Sequence, residues 1–177
     1  MIATERLLLR SWEERDRAPF AALGRDPEVM ATLGPLLSRK ESDEVVDRLR
    51  VLDASLGHTF WAMERRADEA TIGFCGLVRG RPGTPIEDEP EIGWRLARTA
   101  WGEGYAREAA EATLSWAWAH LPDARVAAIT AAVNDRSWSL MQRLGMLRDA
   151  AGDFDHPMVP DGSPLKAHVT YRIARPA

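Results

Sequence analysis

Hydrophobic and polar positions change their spacing several times along the chain, and each change marks an element. "ERLLLRSW" (Glu5–Trp12) is compact, branched-apolar and bounded by charge, which predicts a strand. "EERDRAPFAALGRD" has apolar residues at helical spacing and predicts a helix stopped by Gly24. "DPEVMATLG" predicts a short turn or helix. A longer helix follows in "SRKESDEVVDRLRVLDASLG", capped by Ser38, striped by Val45, Val46, Leu49 and Leu52, and ended by Gly57. "HTFWAMERR" and "TIGFCGLVRG" predict two strands joined by the turn "RADEA". "RPGTPIEDEP" is rich in Pro, Gly and acid and reads as a loop.

"EIGWRLA" (Glu91–Ala97) predicts the next strand, and "YAREAAEATLSWAWAH" a helix that stops near Leu121 and Pro122. "RVAAITAAV" (Arg125–Val133) is almost continuously small or β-branched, as a central strand is. "NDRSWSLMQRLG" predicts a short helix with Asn134 as its cap. "MLRDAAGDF" and "KAHVTYRIA" complete about seven strands, with the turn-rich "DHPMVPDGSP" between them. Crossover helices between strands predict an α/β (α+β) protein with a mixed sheet flanked by helices.

The 177 residues suit one domain, 1–177, with enough chain to bury a core. A formal net charge of -4 gives no reason to expect nucleic acid as a partner. The single cysteine, Cys75, excludes an internal disulfide and a Cys-rich zinc site, and its apolar setting predicts a buried, inert thiol. The charged N-terminus "MIATERLLLRSWEERD" has no apolar run of the length of a signal or membrane span. A cytoplasmic protein with no membrane partner is the default expectation.

The chemistry is concentrated at "AWGEGYARE". Glycine is unfavourable in helices, yet Gly102 and Gly104 stand at a helix entrance. There, backbone N–H groups lack partners and the helix dipole is positive, so an anion can bind if no side chain blocks it. A tight strand-to-helix turn without ligand is the other reading of that spacing. A dinucleotide fingerprint needs a third glycine at position 107, which is Arg107, and a P-loop needs Gly-Lys-Ser/Thr where the chain reads "YAREA".

"EIGWRLARTAWGEGYAREA", "NDRSWSLMQRLGM" and "FDHPMVPDGSPLKAHVTYRI" together resemble the GNAT acyl-CoA N-acetyltransferases, in particular the RimJ/RimL-type branch. "TERLLLRSW" and "DPEVMATLG" extend the resemblance over nearly the whole chain. It implies a GNAT fold, a mostly antiparallel sheet splayed at an acetyl-CoA cleft, and a cytoplasmic acetyltransferase without metal. The amides of Gly102, Glu103, Gly104, Tyr105 and Ala106, with Arg107, would hold the pyrophosphate. Trp101 takes the place of the family's usual polar residue. The strand "EIGWRLA" would carry a bulge and pair with the pantetheine arm, bringing Trp94, Arg95 and Leu96 into the cofactor set. An N–H near Arg95 or Leu96 would polarise the thioester, and Gly93 would mark the bulge or a packing contact.

Asn134 would flank the pantetheine arm as well as cap its helix. The resemblance makes Ser137 the candidate acid toward the departing thiolate, and the local alternative is a capping hydroxyl. Glu91 and Glu64 are the candidate general bases, each open to the plainer reading of a salt-bridged carboxylate. His156 and His168 fit no metal-ligand spacing and are expected to be structural. The expected acceptor is a primary amine, first a protein N-terminal α-amine such as that of a ribosomal protein. A small amine (amino acid, polyamine or antibiotic) is the alternative acceptor. A non-catalytic acyl-CoA-binding module is the alternative from another class. No pattern defines an interface, and a homodimer stays open.

Overall fold

A computed structural model describes residues 1–176. Alternation builds the sheet first. β1 (Ile2–Ala3), β2 (Leu7–Arg10), β3 (Phe60–Arg65), β4 (Ala70–Arg79) and β5 (Pro90–Leu96) pair antiparallel in chain order. β6 (Arg125–Ala131) then lies parallel to β5. β9 (Ala167–Ala174) is antiparallel to β6 and also pairs with two short strands, β7 (Leu147–Arg148) and β8 (Phe154–Asp155). Among the described residues the sheet therefore has nine strands where about seven were expected. One addition is β1. The other arises because "MLRDAAGDF" breaks into two-residue strands around a 3-10 turn at Ala150–Gly152.

The helices are α1 (Arg17–Arg25), α2 (Pro27–Met30), α3 (Arg39–Leu56), α4 (Tyr105–His120) and α5 (Asp135–Arg143). Ser38 and Glu41 form a reciprocal capping box on α3, and Asp26 accepts from Glu28 and Val29 at the start of α2. Gly24 does not stop α1. It is buried inside it, and a Cβ there would lie 3.1 Å from the Leu37 Cβ. It lets the chain pack closely rather than ending the helix.

Neighbouring strand residues point to opposite faces, so each face has its own core. On one, Cys75, Leu77, Ile92 and Leu96 meet Ala109, Ala110, Leu114 and Ala117 of α4. Small residues on α4 allow a close approach to the sheet. On the other, Ala62 and Phe74 meet Trp12, Phe20 and Leu23 with Val46 and Leu49 of α3. The stripe expected on α3 is thus the one buried. No helix among the described residues is long and apolar enough to cross a membrane.

Candidate active site

β5 and β6 share a single register pair, Glu91 opposite Ala127. Past that point they part. On its other side β5 stays in uniform register with β4, from Arg79 opposite Pro90 to Gly73 opposite Leu96. The expected bulge in β5 is therefore not there; the register shift lies between Met63 and Glu64 of β3. Gly93 serves packing instead, since a Cβ on it would lie 2.8 Å from the Phe60 ring. The splay comes from β6 turning away.

The gap opens into a cleft of about 1160 Å³. Its walls are β5 from Glu91 to Leu96, the entrance to α4, the first turn of α5, and the Glu28–Leu33 region around α2. Strand geometry sorts the β5 backbone. Gly80 N–H donates to the Glu89 carbonyl and Ala97 N–H to the Ile72 carbonyl. Odd-numbered β5 amides thus face β4, and those of Trp94 and Leu96 face the gap. Between the two donors expected from sequence, the register favours Leu96 over Arg95 and adds Trp94.

The entrance to α4 is built to expose donors. Gly102 and Gly104 both have φ 81°, a left-handed conformation that side-chain-bearing residues rarely adopt. Gly104 is the N-cap and supplies no side-chain acceptor, unlike the caps of α2, α3 and α5. The amides of the first turn, from Tyr105 through Arg107, are left open to the cleft side. Arg6 contributes from β2's leading edge. Its Nη1 donates to the Glu103 carbonyl at 2.9 Å, and its Nε donates to Glu108 at 2.7 Å. Because C=O and N–H point oppositely across a trans peptide, tying back the Glu103 carbonyl turns the Gly104 N–H the other way.

Trp101 forms wall rather than donor. Its indole N–H donates to the Leu96 carbonyl at 3.0 Å, and the Arg136 guanidinium lies 4.3 Å from its ring centroid. Arg107 lines the cleft but is exposed and paired with Glu111 at 2.8 Å. Glu103 lies outside the cleft wall and contributes its peptide group.

Asn134 caps α5: its Oδ1 accepts from the Ser137 N–H, and its Nδ2 donates to Thr130 at 2.9 Å. Ser137 lines the cleft with its backbone, not its hydroxyl, engaged by Asn134. Glu91 lies half-buried on the cleft wall. Burial pushes its carboxyl up to about 7, against a smaller opposing pull from Arg81. Arg95 lies on the same face of β5.

Glu64 is elsewhere. It is buried in an ion-pair network, 2.7 Å from Arg10 and 3.0 Å from Arg15, with Asp16 completing the set on Arg10. Held by two guanidiniums and away from the cleft, it has the plainer role of a salt-bridged carboxylate. Trp94 lines the cleft; Trp138 does not and packs against the α4-side core. His156 and His168 do meet, with ring centroids 4.7 Å apart, beside Phe154. No group of three metal-ligating side chains forms among the described residues. Cys75 is buried, and burial pushes its thiol up to about 12. Arg6, Thr130 and Glu108 escaped the sequence reading, because their roles arise from contacts across distant segments.

A split sheet, an open helix entrance and a carboxyl poised near neutrality define a cleft for acyl transfer. A model of the acetyltransferase (GNAT) domain matches residues 6–147. The chain belongs to the GNAT acetyltransferase family and is an acetyl-CoA-dependent acyltransferase. The uncharacterized protein YkkB of Bacillus subtilis is 32% identical over 148 residues, covering 82% of this chain and 84% of YkkB. Among solved structures, a ribosomal L7/L12 α-N-protein acetyltransferase in complex with coenzyme A superposes with TM-score 0.78 at 15% identity, covering 97% of this chain and 95% of that one. Spermidine N-acetyltransferase from Vibrio cholerae in complex with CoA and spermine superposes with TM-score 0.75 at 18% identity, covering 97% of each. At these identities the two structures establish the shared fold.

Proposed function

We propose that this enzyme moves an acetyl group directly from acetyl-CoA to a primary amine, with Glu91 as the general base. The single observation that carries this is the Glu91 carboxyl, pushed up to about 7 on the wall of the cleft that also holds the open α4 entrance. A base works best when its pKa lies near the working pH. A peptide α-amine has a pKa of roughly 7.7–8.0 and a lysine side chain about 10.4, so a base of this strength matches the α-amine better. A protein N-terminal α-amine is therefore the proposed acceptor.

The cleft fits the co-substrate. The first-turn amides of α4 and the Gly104 N–H suit a pyrophosphate, and glycine leaves room for it. The exposed edge of β5 suits the pantetheine amides. Acetyl-CoA supplies the activated thioester. The amides of Trp94 and Leu96 polarise its carbonyl as the oxyanion forms. Glu91 takes the amine proton directly or through water, and the Ser137 hydroxyl protonates the departing thiolate. With the lone cysteine buried and its thiol unreactive, direct transfer needs no acyl-enzyme.

The test is acetyl-CoA-dependent thiol release with N-terminal peptides and small amines, against an acceptor-free control. Release with peptides, lost in Glu91→Gln, is the expected result. Release with small amines alone moves the acceptor to that class. No release with any acceptor, despite acetyl-CoA binding, leaves a binding module.

A further inference from the structure

One half-buried cation on the cleft wall has no counter-charge. Arg95 Nε is buried with no hydrogen-bond partner, and the side chain makes no ion pair among the described residues. What it has is the Phe74 ring across the β4–β5 ladder, 5.5 Å from the guanidinium carbon. An aromatic face attracts a guanidinium but satisfies none of its five N–H donors. Burying an unpaired charge is unfavourable; Arg10, Arg17 and Arg98 are paired, and Arg136 and Arg143 of the cleft wall are exposed. Glu28, the acid of the facing α2 wall, is already engaged by Arg98 at 2.7 Å.

The face matters. Ile92 and Leu96 join the core packed under α4, whose N-terminus is the phosphate cradle. Glu91 and Arg95 project to the opposite face, with the Glu28–Leu33 wall. Four residues of strand separate them, about 13 Å between Cα atoms. The proposed base and the free cation thus share one half of the cleft, away from the cradle.

Building on the proposed acetyl transfer with Glu91 as base, we propose that Arg95 recognises a carboxylate on the amine acceptor. The planar guanidinium pairs with a carboxylate through two parallel hydrogen bonds, which fixes orientation as well as charge. Two sources present that group near a primary amine: the α-carboxylate of a free amino acid, and an acidic side chain close to the N-terminus of a peptide. A polyamine presents only positive charge to Arg95 and is disfavoured.

The experiment uses matched probes: free amino acids with their carboxamides, and N-terminal peptides carrying Asp or Glu with the same peptides carrying Asn or Gln. Thiol release is read for turnover, and calorimetry with the CoA-loaded protein reads binding without turnover. The expected result is at least a tenfold preference in kcat/KM, or in binding, for the carboxylate member of one set, and the responding set identifies the source. Arg95→Met should abolish the preference and Arg95→Lys should restore part of it. Equal use and equal binding of both members overturns the proposal, and the wild-type comparison decides this even if the variants fold poorly. A rise in the KM for acetyl-CoA in Arg95→Met, with acceptor preference intact, overturns it in favour of a contact to the co-substrate. Turnover without carboxylate preference sinks this inference alone; carboxylate-selective binding with no turnover sinks the transfer reading alone.

Discussion

Glu91 and Ala127 form the one register pair that joins β5 to β6, and the cleft begins immediately past them. The residue that closes the sheet is also the carboxyl whose environment holds it near neutrality. A carboxyl fixed at the apex of a gap is positioned by the backbone of both strands.

Activity should follow the ionisation of Glu91. We expect the acid limb of the kcat/KM profile to fall with an apparent pKa near 7. Glu91→Gln should lose that limb and about 10²–10⁴-fold in rate. An unchanged acid limb in the variant would assign it to another group.

The same carboxyl should shape stability. Its pKa is raised in the folded chain, so the folded state holds the proton more tightly. The stabilisation is complete below the ordinary 4.5 and is lost as pH rises through about 7. Compared with Glu91→Gln, the wild type should lose up to about 3 kcal/mol across that window. Denaturant melts of both proteins at pH 4.5 and 8 measure this; parallel curves would contradict it.

Glu64 should behave as structure. The side chains of Arg10, Asp16 and Glu64 are 5%, 0% and 9% exposed, so removing one charge strands the others. We expect Glu64→Gln to cost about 3–5 kcal/mol. Turnover per folded molecule should stay within about twofold, set against the far larger loss expected of an acid–base group. A large drop in turnover with normal stability would return Glu64 to the mechanism.

Gly104→Ala and Gly104→Val should both weaken acetyl-CoA binding. Among the described residues, the only atom within 4 Å of a Cβ there would be Arg6 Nη2 at 3.5 Å, so local crowding within the protein is slight. The left-handed backbone is what resists a side chain, at about 1–2 kcal/mol. Relief of that strain reorients the Gly104 amide, and the added methyl groups occupy the phosphate approach. Calorimetry on the folded variants, with Val worse than Ala, checks both effects.

Ser137→Ala should lower kcat with little change in acetyl-CoA affinity, because the backbone N–H rather than the hydroxyl engages the Asn134 cap. Wild-type turnover would give the proton transfer to water.

The sequence made the local features legible. Ser38 with Glu41, Asn134 before α5, and the apolar stripe of α3 are decided within a few residues, and the structure forms each of them. The two glycines before α4 were readable for the same reason. What depends on distant partners was hidden. Glu64 and Glu91 look alike in the chain; one lies beside Arg10, 54 residues away, and the other at a strand divergence. The tether from Arg6 to Glu103 spans 97 residues and carries no local signal. Gly24 resembled a helix stop because its packing against Leu37 is a tertiary contact.

The divergence of β5 from β6 also creates two unfinished edges in the interior of a sheet. An edge ordinarily invites another chain, which is a route to aggregation. Here the walls around the gap restrict entry, so the edges favour a slender guest with amides of its own over a second protein. Such a guest would bind as an added strand, and the protein would gain stability by RT ln(1 + [L]/Kd) when it enters. Backbone amides of Trp94 and Leu96 would then exchange with solvent more slowly, making the missing piece of the sheet a diffusible one.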